Sequence, residues 1–388
     1  MEEPLKIGIT CYPTVGGSGV VATELGKLLA ERGHQVHFIT HSMPFRLGKY
    51  HKNIYYHEVE VTDYYVFRHP PYDLALASKM AMVARMQGLD LLHVHYALPH
   101  AICAFLARQM VGPRLKVVTT LHGTDITILA QEESLKDLIR LGINESDAVT
   151  AVSRHLIRET REKLEIARPL ELVYNFIDER VYGPRDAGDL KSEIAPAGER
   201  IILHISNFRP VKRVLDVLDV FRRVNERIPS RLLLVGEGPE LAKVQAKAAE
   251  QGLQDRVIFL GKQDDVAQII SAADLMLLPS EKESFGLAAL EAMACGVPTI
   301  ASTAGGLPEL ITHGETGYLA PVGDTERMAG YALALLADEA RRRSFSEACI
   351  RRARTEFCSA KIVRQYESVY YRVLGKTANG LKSACGTV

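Results

Sequence analysis

The chain has 388 residues, of which 47% are hydrophobic and 24% are charged, as in soluble globular proteins of two or three domains. Lysine plus arginine and aspartate plus glutamate each total 47, and this balance argues against a general nucleic-acid-binding protein. The six cysteines form no Cys-x-x-Cys pair, so their spacing indicates neither a zinc site nor a disulfide framework.

The first ten residues, MEEPLKIGIT, lack the charged region, the apolar run and the cleavage site of a signal peptide. No apolar stretch approaches the ~20 residues that a membrane-spanning helix needs. We therefore predict a cytoplasmic protein with reduced cysteines and no stable membrane insertion. The sequence leaves a homodimer open.

Short apolar runs alternate with helical patterns along the first half of the chain. Strands are predicted at 5–10, 35–40, 91–96, 116–122, 148–153 and 171–175, and a helix at 20–33. Alternation of this kind predicts a mostly parallel sheet with helices on both faces. Residues 1–180 are therefore predicted to form a Rossmann-like domain.

A second series of strands is predicted at 200–206, 231–236, 256–261, 275–280 and 299–302, within a second Rossmann-like domain at 200–358. The segment 178–200 is polar and rich in glycine, proline and charge, and we interpret it as a linker. Residues 359–376 have a helical pattern that we expect to pack back on the first domain, and the tail 377–388 is expected to fray. The predicted fold class is α/β, with two doubly wound domains facing a cleft. Ligands of such sheets bind beyond the carboxyl ends of the strands, where the strand order reverses.

A glycine-rich stretch, CYPTVGGSGVVATEL, follows the first predicted strand and contains G-x-G-x-x-A at Gly17, Gly19 and Ala22. Glycines let a ligand approach the backbone, and the start of a helix offers unpaired N–H groups to an anion. A dinucleotide site would also need an acid about 20 residues further on. The sequence there reads Phe-Ile-Thr-His at 38–41, so the pattern favours a phosphate or carboxylate loop over NAD binding. A tight turn without a ligand is the alternative.

Three cations follow the first strand of the second series, in the stretch HISNFRPVKRVLDVLDVF. Asn207, Arg209, Lys212 and Arg213 come between that strand and a predicted helix. Such a run is commonly a solvated surface, but its position at a strand end also suits an anion-binding site.

Two glutamates, Glu283 and Glu291, flank the stretch Ser-Phe-Gly at 284–286. We expect 284–286 to form the first turn of a helix, whose open N–H groups and dipole suit a diphosphate. The two acids would then lie roughly 80° apart around the axis and ~12 Å apart along it. One ligand along the helix start would reach both, with ribose hydroxyls at Glu291 and sugar hydroxyls at Glu283. The alternative is a capping acid beside an unrelated surface glutamate.

Several motifs recur in the order of a known family. They are the two glutamates within SEKESFGLAALEAMACGVP, the stretch AGGLPELITHGETGYL at 304–319, the Gly-Gly pair at 16–17, and Lys212. With these motifs the chain resembles, over nearly its whole length, the retaining glycosyltransferases of the glycogen-synthase and sucrose-synthase type, called family four. The resemblance implies the GT-B fold, with the active site between two domains.

Six segments resemble more closely a branch of that family that transfers N-acetylglucosamine from UDP-N-acetylglucosamine to L-malate, opening bacillithiol biosynthesis. These segments are 70–81, 91–101, 119–127, 205–217, 259–266 and 280–287. The resemblance implies that the first domain binds the acceptor and the second the nucleotide sugar. Both are small-molecule substrates, and no cofactor besides the donor is expected.

The resemblance also implies a role for individual residues. Lys212 and Arg209 would neutralise the departing UDP, with Arg209 replacing an arginine that many members carry where this chain has Asn207. Glu283 would orient the sugar, or act as the base, and His122 would contact the sugar near the reacting carbon unless it is simply a buried histidine. The expected nucleotide-sugar-binding residues are Gly17, Ser18, Asn207, Gly261, Lys262, Ser284, Phe285, Gly286, Leu287 and Glu291. The expected acceptor-binding residues are Ser18, Tyr96, Thr120 and Lys79, with Arg68 as a further cation.

No metal site is predicted, because the chain has no D-x-D motif and His93, His95 and His100 would need further ligands. Three other functions stay open. A transferase of the same fold would use another acceptor, a lipid-linked sugar or inositol phosphate, and the basic stretch 45–52 is compatible with a lipid. A nicotinamide-dependent dehydrogenase is disfavoured by the missing acid, and a non-enzymatic sugar-binding module by the converging cations.

Overall fold

The computed structural model describes residues 3–13, 16–48, 50–61, 69 and 71–376. Arg68 and the tail 377–388 lie outside these residues. The chain forms two compact units. One comprises Met1–Asn175 together with Ser359–Val388, and the other comprises Phe176–Cys358.

The first unit is built on a parallel sheet of seven strands among its described residues, in the order β3-β2-β1-β4-β5-β6-β7. Its elements are β1 (Lys6–Thr10), α1 (Gly17–Glu31), β2 (Gln35–Thr40), β3 (Ile54–Glu58), α2 (Tyr72–Gln87), β4 (Leu91–His95), α3 (Ile102–Val111), β5 (Lys116–Leu121), α4 (Thr124–Thr127), α5 (Glu133–Glu145), β6 (Ala148–Ala151), α6 (Arg154–Leu164) and β7 (Glu171–Leu172).

The strand order of the first unit reverses between β1 and β4. The chain runs from β1 outward to β3 and then returns to place β4 on the other side of β1. One face of the sheet packs against α2 and α3, where Met80 and Ala104 bury apolar surface against Leu92 and Val94. The loops after β1 and β4 therefore meet at the edge where doubly wound sheets bind ligands.

The second unit repeats this plan on six described parallel strands, in the order β10-β9-β8-β11-β12-β13. Its elements are α7 (Gly188–Ile194), β8 (Arg200–Ile205), α8 (Val214–Asn225), β9 (Ser230–Val235), α9 (Leu241–Glu250), β10 (Val257–Gly261), α10 (Ala267–Ala272), β11 (Leu275–Leu278), α11 (Leu287–Ala294), β12 (Thr299–Ser302), α12 (Leu307–Leu310), β13 (Gly317–Ala320), α13 (Thr325–Ala337) and α14 (Glu339–Glu356). Its strand order reverses between β8 and β11, so the loops after these two strands are neighbours.

The segment 178–200, interpreted above as a linker, lies inside the second unit. It contains α7, and Lys191 of that helix forms an ion pair of 2.9 Å with the buried carboxylate of Asp274. None of the seven residues of α7 is buried, so the segment lacks the apolar pattern that would have marked it as part of a domain.

The last helix, α15 (Ser359–Val373), belongs to the first unit although it follows the second in sequence. Glu367 on this helix accepts hydrogen bonds from Arg32 Nε at 2.5 Å and lies 3.1 Å from the ring of His34. Tyr366 and Tyr370 are fully buried beside it. Among the residues that the structure describes, no helix combines the length and the apolar character that crossing a bilayer requires.

Candidate active site

In the second unit, the loops that follow β8 and β11 are joined by an ion pair. Lys212 ends a short 3₁₀ turn after β8, and its Nζ lies 2.6 Å from Oε2 of Glu283 in the loop after β11. The amide of Glu281 donates to the carbonyl of Val211 at 2.8 Å, which fixes the two loops to each other. Both charged side chains are mostly shielded, with 20% of Lys212 and 15% of Glu283 exposed. The pair therefore presents one cation and one anion in fixed geometry at the edge of the sheet.

A buried histidine of β8 lies beneath this pair. His204 bonds through Nδ1 to the carbonyl of Leu277 and through Nε2 to the hydroxyl of Ser206, each at 2.8 Å. Burial, and then the charge of Lys212, lower the pKa of His204 to about 4. His204 is therefore neutral near pH 7 and adds no charge of its own to the site.

Helix α11 begins one turn later than the sequence indicated. Its first residue is Leu287, and Gly286 caps it with φ +101°, a conformation that favours glycine. Ser284 and Phe285 thus precede the helix, and so does Glu283. The predicted relation of Glu283 to Glu291, roughly 80° and ~12 Å along one helix, therefore does not apply.

The start of α11 nevertheless offers donors to an anion. The amide of Leu290 is the first to bond within the helix, to the carbonyl of Gly286 at 3.0 Å. The amides of Leu287 and of the two alanines that follow it have no acceptor among the described residues, as at any helix start. Glu291 lies on the next turn with 8% of its surface exposed.

Gly305 and Gly306 pack closely against the backbone of Glu283 and Ser284. Gly306, in the loop after β12, donates its amide to the carbonyl of Glu283 at 2.9 Å. A Cβ atom at Gly305 would lie 1.8 Å from that same carbonyl oxygen, and one at Gly306 would lie 2.4 Å from the carbonyl oxygen of Ser284. The close approach of the two loops therefore requires glycine at both positions.

The remaining predicted residues of the second unit lie around this centre. Asn207 and Arg209 are exposed on the loop after β8, and the guanidinium of Arg209 has no partner among the described residues. Gly261 ends β10 with φ +62°, and Lys262 forms an exposed ion pair of 3.3 Å with Glu237. Arg213 is paired with Asp216 at 2.6 Å, so it is a structural cation of α8.

In the first unit, the loop after β4 contacts the start of α1. Gly16 is the N-cap of α1, so the amides of Gly17 and Ser18 are at the helix start. The hydroxyl of Ser18 lies 3.0 Å from that of Tyr96, which follows β4. Tyr96 has φ +91°, and non-glycine residues held in such conformations cluster at functional sites.

The loops after β4 and β5 are held together by a histidine pair and a buried carboxylate. Nδ1 of His95 lies 2.8 Å from Nε2 of His122. Asp125 accepts from the amide of Ala97 and from that of Gly123, each at 3.0 Å. Burial raises the pKa of Asp125 to about 6. We did not assign Asp125 from the sequence. The sequence did indicate this role, because an aspartate that closely follows a strand end and a glycine is suited to accepting hydrogen bonds from loop amides.

The other two predicted acceptor residues are Thr120 and Lys79. Thr120 is fully buried, and its hydroxyl lies 2.7 Å from both His93 and Thr150, so it supports the sheet interior. Burial lowers the pKa of His57 on β3, and the charge of Lys79 lowers it further. Strand β3 is two strands away from β1, or roughly 10 Å. An acceptor-binding role for Thr120 and Lys79 stays a prediction.

Comparison with known proteins decides the family. The model of glycosyl transferases group 1 matches residues 189–352, and that of Glycosyltransferase Family 4 matches residues 15–181. The chain is 58% identical over 377 residues to the N-acetyl-alpha-D-glucosaminyl L-malate synthase of Bacillus anthracis, covering 97% of this chain and 99% of that protein.

The chain belongs to the glycosyltransferase family of this synthase.

A more distant relative by sequence and two solved structures are also similar to this glycosyltransferase. The D-inositol 3-phosphate glycosyltransferase of Mycobacteroides abscessus is 33% identical over 258 residues, which cover 62% of this chain and 57% of that protein. Sucrose-phosphate synthase from Thermosynechococcus elongatus superposes with a TM-score of 0.80 at 23% identity, over 96% of this chain and 99% of that one. Anabaena Alr3699/HepE in complex with UDP also gives 0.80, at 21% identity over 95% of this chain and 100% of that one. The predicted family, enzyme class and GT-B fold class are confirmed.

The described residues of the glycosyltransferase contain no group of three or more histidine, cysteine, aspartate and glutamate side chains that could hold a metal ion. Among the described residues, the cysteines at 11, 103, 295, 349 and 358 are buried, and none of them is in a disulfide bond. The charged and polar groups that the described residues offer for chemistry include the Lys212–Glu283 pair, Arg209, the start of α11, and the loops that carry Ser18, Tyr96 and His122.

Proposed function

We propose that the protein transfers N-acetylglucosamine from UDP-N-acetylglucosamine to the hydroxyl of L-malate, with retention at the anomeric carbon, as the first step of bacillithiol biosynthesis. The observation that carries this proposal is the 58% identity, over 97% of the chain, to a protein named for that product. We further propose that it acts in the cytoplasm.

The donor is assigned to the second unit. Lys212 and the exposed Arg209 supply the positive charge that a diphosphate needs, and the open amides at the start of α11 supply hydrogen bonds. Glu291 accepts from the ribose hydroxyls, and Glu283 orients the sugar. The ion pair with Glu283 holds the Lys212 side chain in place before the donor binds, so little reorganisation is needed when charge develops on the phosphate.

The acceptor is assigned to the first unit. Malate carries two carboxylates, which require cations or amides, and the amides of Gly17 and Ser18 are such donors. The hydroxyls of Ser18 and Tyr96, 3.0 Å apart, are placed to bind oxygen atoms of the acceptor. His122 contacts the transferred sugar.

The reaction exchanges one bond for another at the anomeric carbon. The bond from that carbon to the β-phosphate oxygen breaks, and a bond to the malate hydroxyl oxygen forms on the same face of the sugar. The hydroxyl proton passes to the departing phosphate oxygen, so no protein base is required. Lys212 and Arg209 stabilise the negative charge on the departing UDP. Besides malate, the proposed reaction requires only the donor.

The test is a UDP-release assay with UDP-N-acetylglucosamine and a panel of acceptors, with and without chelator. The panel contains L-malate, D-malate, lactate, glycerate and inositol 3-phosphate. We expect release with L-malate at a rate that EDTA leaves unchanged, and an α-linked product by proton NMR. Release with another acceptor and none with L-malate would end the malate assignment, and a loss of rate in EDTA would end the metal-independent one.

Inositol phosphate is the second candidate acceptor, because the Mycobacteroides relative is named for it. Its identity of 33% over 62% of the chain gives it the weaker support. The homodimer that the sequence left open stays a prediction, which multi-angle light scattering of the purified chain would decide.

A further inference from the structure

A line of buried polar side chains runs from the last helix to the site residue His122. His93 and His95 alternate on β4 and therefore lie on one face of the sheet. Their rings are 4.4 Å apart, and neither is exposed. Nδ1 of His93 lies 2.7 Å from the hydroxyl of Tyr370 on α15, and Nδ1 of His95 lies 2.8 Å from Nε2 of His122.

The three imidazoles of this line are neutral. Burial lowers the pKa of His93 and of His122 to about 3, and that of His95 well below its usual value. Neighbouring histidines lower all three further. A neutral imidazole carries one N–H and one bare nitrogen, so the line has a definite set of donors and acceptors.

The pairing of His95 with His122 allows two arrangements. In the first, Nδ1–H of His95 donates to Nε2 of His122. In the second, Nε2–H of His122 donates to Nδ1 of His95, and the proton of His95 is then on its own Nε2.

The surroundings of His95 separate these arrangements. Its Nε2 is buried and has no hydrogen-bond partner among the described residues. In the second arrangement this atom would be a buried N–H without an acceptor, the rarer and costlier kind of orphaned polar group. The first arrangement leaves only a bare nitrogen there. It also leaves the proton of His122 on Nδ1, which has no partner among the described residues.

We propose that His95 is a positioning residue that fixes His122 in the Nδ1–H tautomer, so that His122 presents a hydrogen-bond donor, and not a base, to the substrate. The ligand atom is an acceptor oxygen of the bound sugar. The identity of that oxygen rests on the proposed function, whereas the tautomer does not.

The rest of the line is consistent with this assignment. If the phenol of Tyr370 donates to Nδ1 of His93, then Nε2–H of His93 donates to the hydroxyl of Thr120 at 2.7 Å. Thr120 in turn donates to Thr150, also at 2.7 Å. Both ring nitrogens of His93 then have a partner, so His93 forms a rigid support against which the ring of His95 packs.

The tautomer is measured directly by NMR on the full chain labelled with [¹⁵N]histidine. Long-range proton–nitrogen correlations distinguish a protonated from a bare ring nitrogen in each of the 13 histidines. The signals of His122 are identified by their loss in His122→Asn. We expect a protonated Nδ1 and a bare Nε2 at His122 in the wild type without substrate. The opposite pattern would overturn the inference without affecting the assignment of donor or acceptor.

Three variants test the positioning role. His95→Phe removes the donor, and we expect His122 to show a mixture of tautomers. His95→Asn returns an N–H at the position of Nδ1, and we expect it to restore the wild-type pattern. Tyr370→Phe removes one hydrogen bond from the same line at its far end, and we expect the His122 signals to stay unchanged. A wild-type pattern in His95→Phe would show that His95 does not set the tautomer.

Kinetics then test the donor itself. Counted from the backbone, the amide nitrogen of asparagine overlays Nδ1 of histidine, and that of glutamine overlays Nε2. We expect His122→Asn to keep a turnover roughly three- to tenfold higher than His122→Gln, as one neutral hydrogen bond allows. Equal or reversed rates would exclude Nδ1 as the functional donor. The comparison uses whichever acceptor supports UDP release, so a failure of malate leaves it valid.

Discussion

Replacing Gly305 with alanine should displace Glu283 without touching a charged group. The new Cβ would lie 1.8 Å from the Glu283 carbonyl oxygen, whereas Cβ atoms essentially never come within 3.0 Å of another heavy atom. The two backbones must therefore separate by roughly 1.2 Å (3.0 less 1.8 Å), because neither the alanine Cβ nor the Glu283 carbonyl oxygen can rotate out of the way. This shift is passed to the carboxylate that pairs with Lys212.

A misplacement of this size is expected to reduce catalysis strongly. Displacements of ~1 Å at a catalytic group cost about 100-fold in rate, or about 2.7 kcal/mol of transition-state stabilisation. We expect kcat/KM for UDP-N-acetylglucosamine to fall by about that factor in Gly305→Ala, measured by UDP release at saturating malate.

Gly314→Ala is the matched control. Gly305 and Gly314 both have a left-handed backbone, with φ +57° and φ +80°, but nothing lies within 4 Å of a Cβ atom at Gly314. Both variants should lose about 1–2 kcal/mol of stability from the backbone conformation, seen as a lower thermal midpoint. Only Gly305→Ala should lose activity. A folded Gly305→Ala with wild-type kcat/KM, or equal losses in both variants, would refute the reasoning.

Lys212→Ala should chiefly lower kcat, by roughly 10²- to 10³-fold, because the lysine acts on charge that develops at the phosphate. Glu291→Ala should mainly raise KM for the donor, by roughly 10- to 100-fold, since it removes a charge-assisted hydrogen bond to the ribose. Unchanged steady-state kinetics in both Lys212→Ala and Glu291→Ala would contradict the proposed donor site. Asp125→Asn should alter the pH dependence of stability, because the folded pKa of about 6 lies above the ordinary value of 3.8 for an aspartate. Between these two values the folded state holds a proton that the unfolded state has lost. The carboxyl's contribution to the free energy of unfolding is thus largest below pH 4 and falls by about 3 kcal/mol as the pH rises to 7. Urea unfolding of wild type and Asp125→Asn at both pH values checks this sign, and a difference that is independent of pH would exclude it.

The core strands of both sheets were predictable because they are buried on both faces. Runs such as Leu91–His95 and Leu275–Leu278 are short, largely apolar and bounded by loop residues. Strand β3, Ile54–Glu58, was missed because it is an edge strand whose residues are half-buried or exposed, so no apolar run marks it. Helix α7 was missed because it buries none of its residues.

The site was predictable in its residue types and only partly in its geometry. Lys212 and Glu283 are 71 residues apart, and they meet because β8 and β11 are neighbours, which depends on a strand order that no local pattern encodes. The start of α11 was misplaced because Ser-Phe-Gly is compatible with a first turn, and only the backbone of Gly286 shows that the helix begins after it. Thr120 follows the pattern of a strand-end hydroxyl, but its partner His93 is on a neighbouring strand.

The position of α15 has a consequence for synthesis of the chain on the ribosome. The first unit needs Tyr366, Tyr370 and Glu367 to complete its interior, yet these residues are translated after all of 176–358. A nascent chain that has emerged only to residue 175 lacks the partner of His93 and the carboxylate that pairs with Arg32. The interior of the first unit is therefore complete only once the last helix has been made, whereas residues 176–358 form a unit that is complete before it.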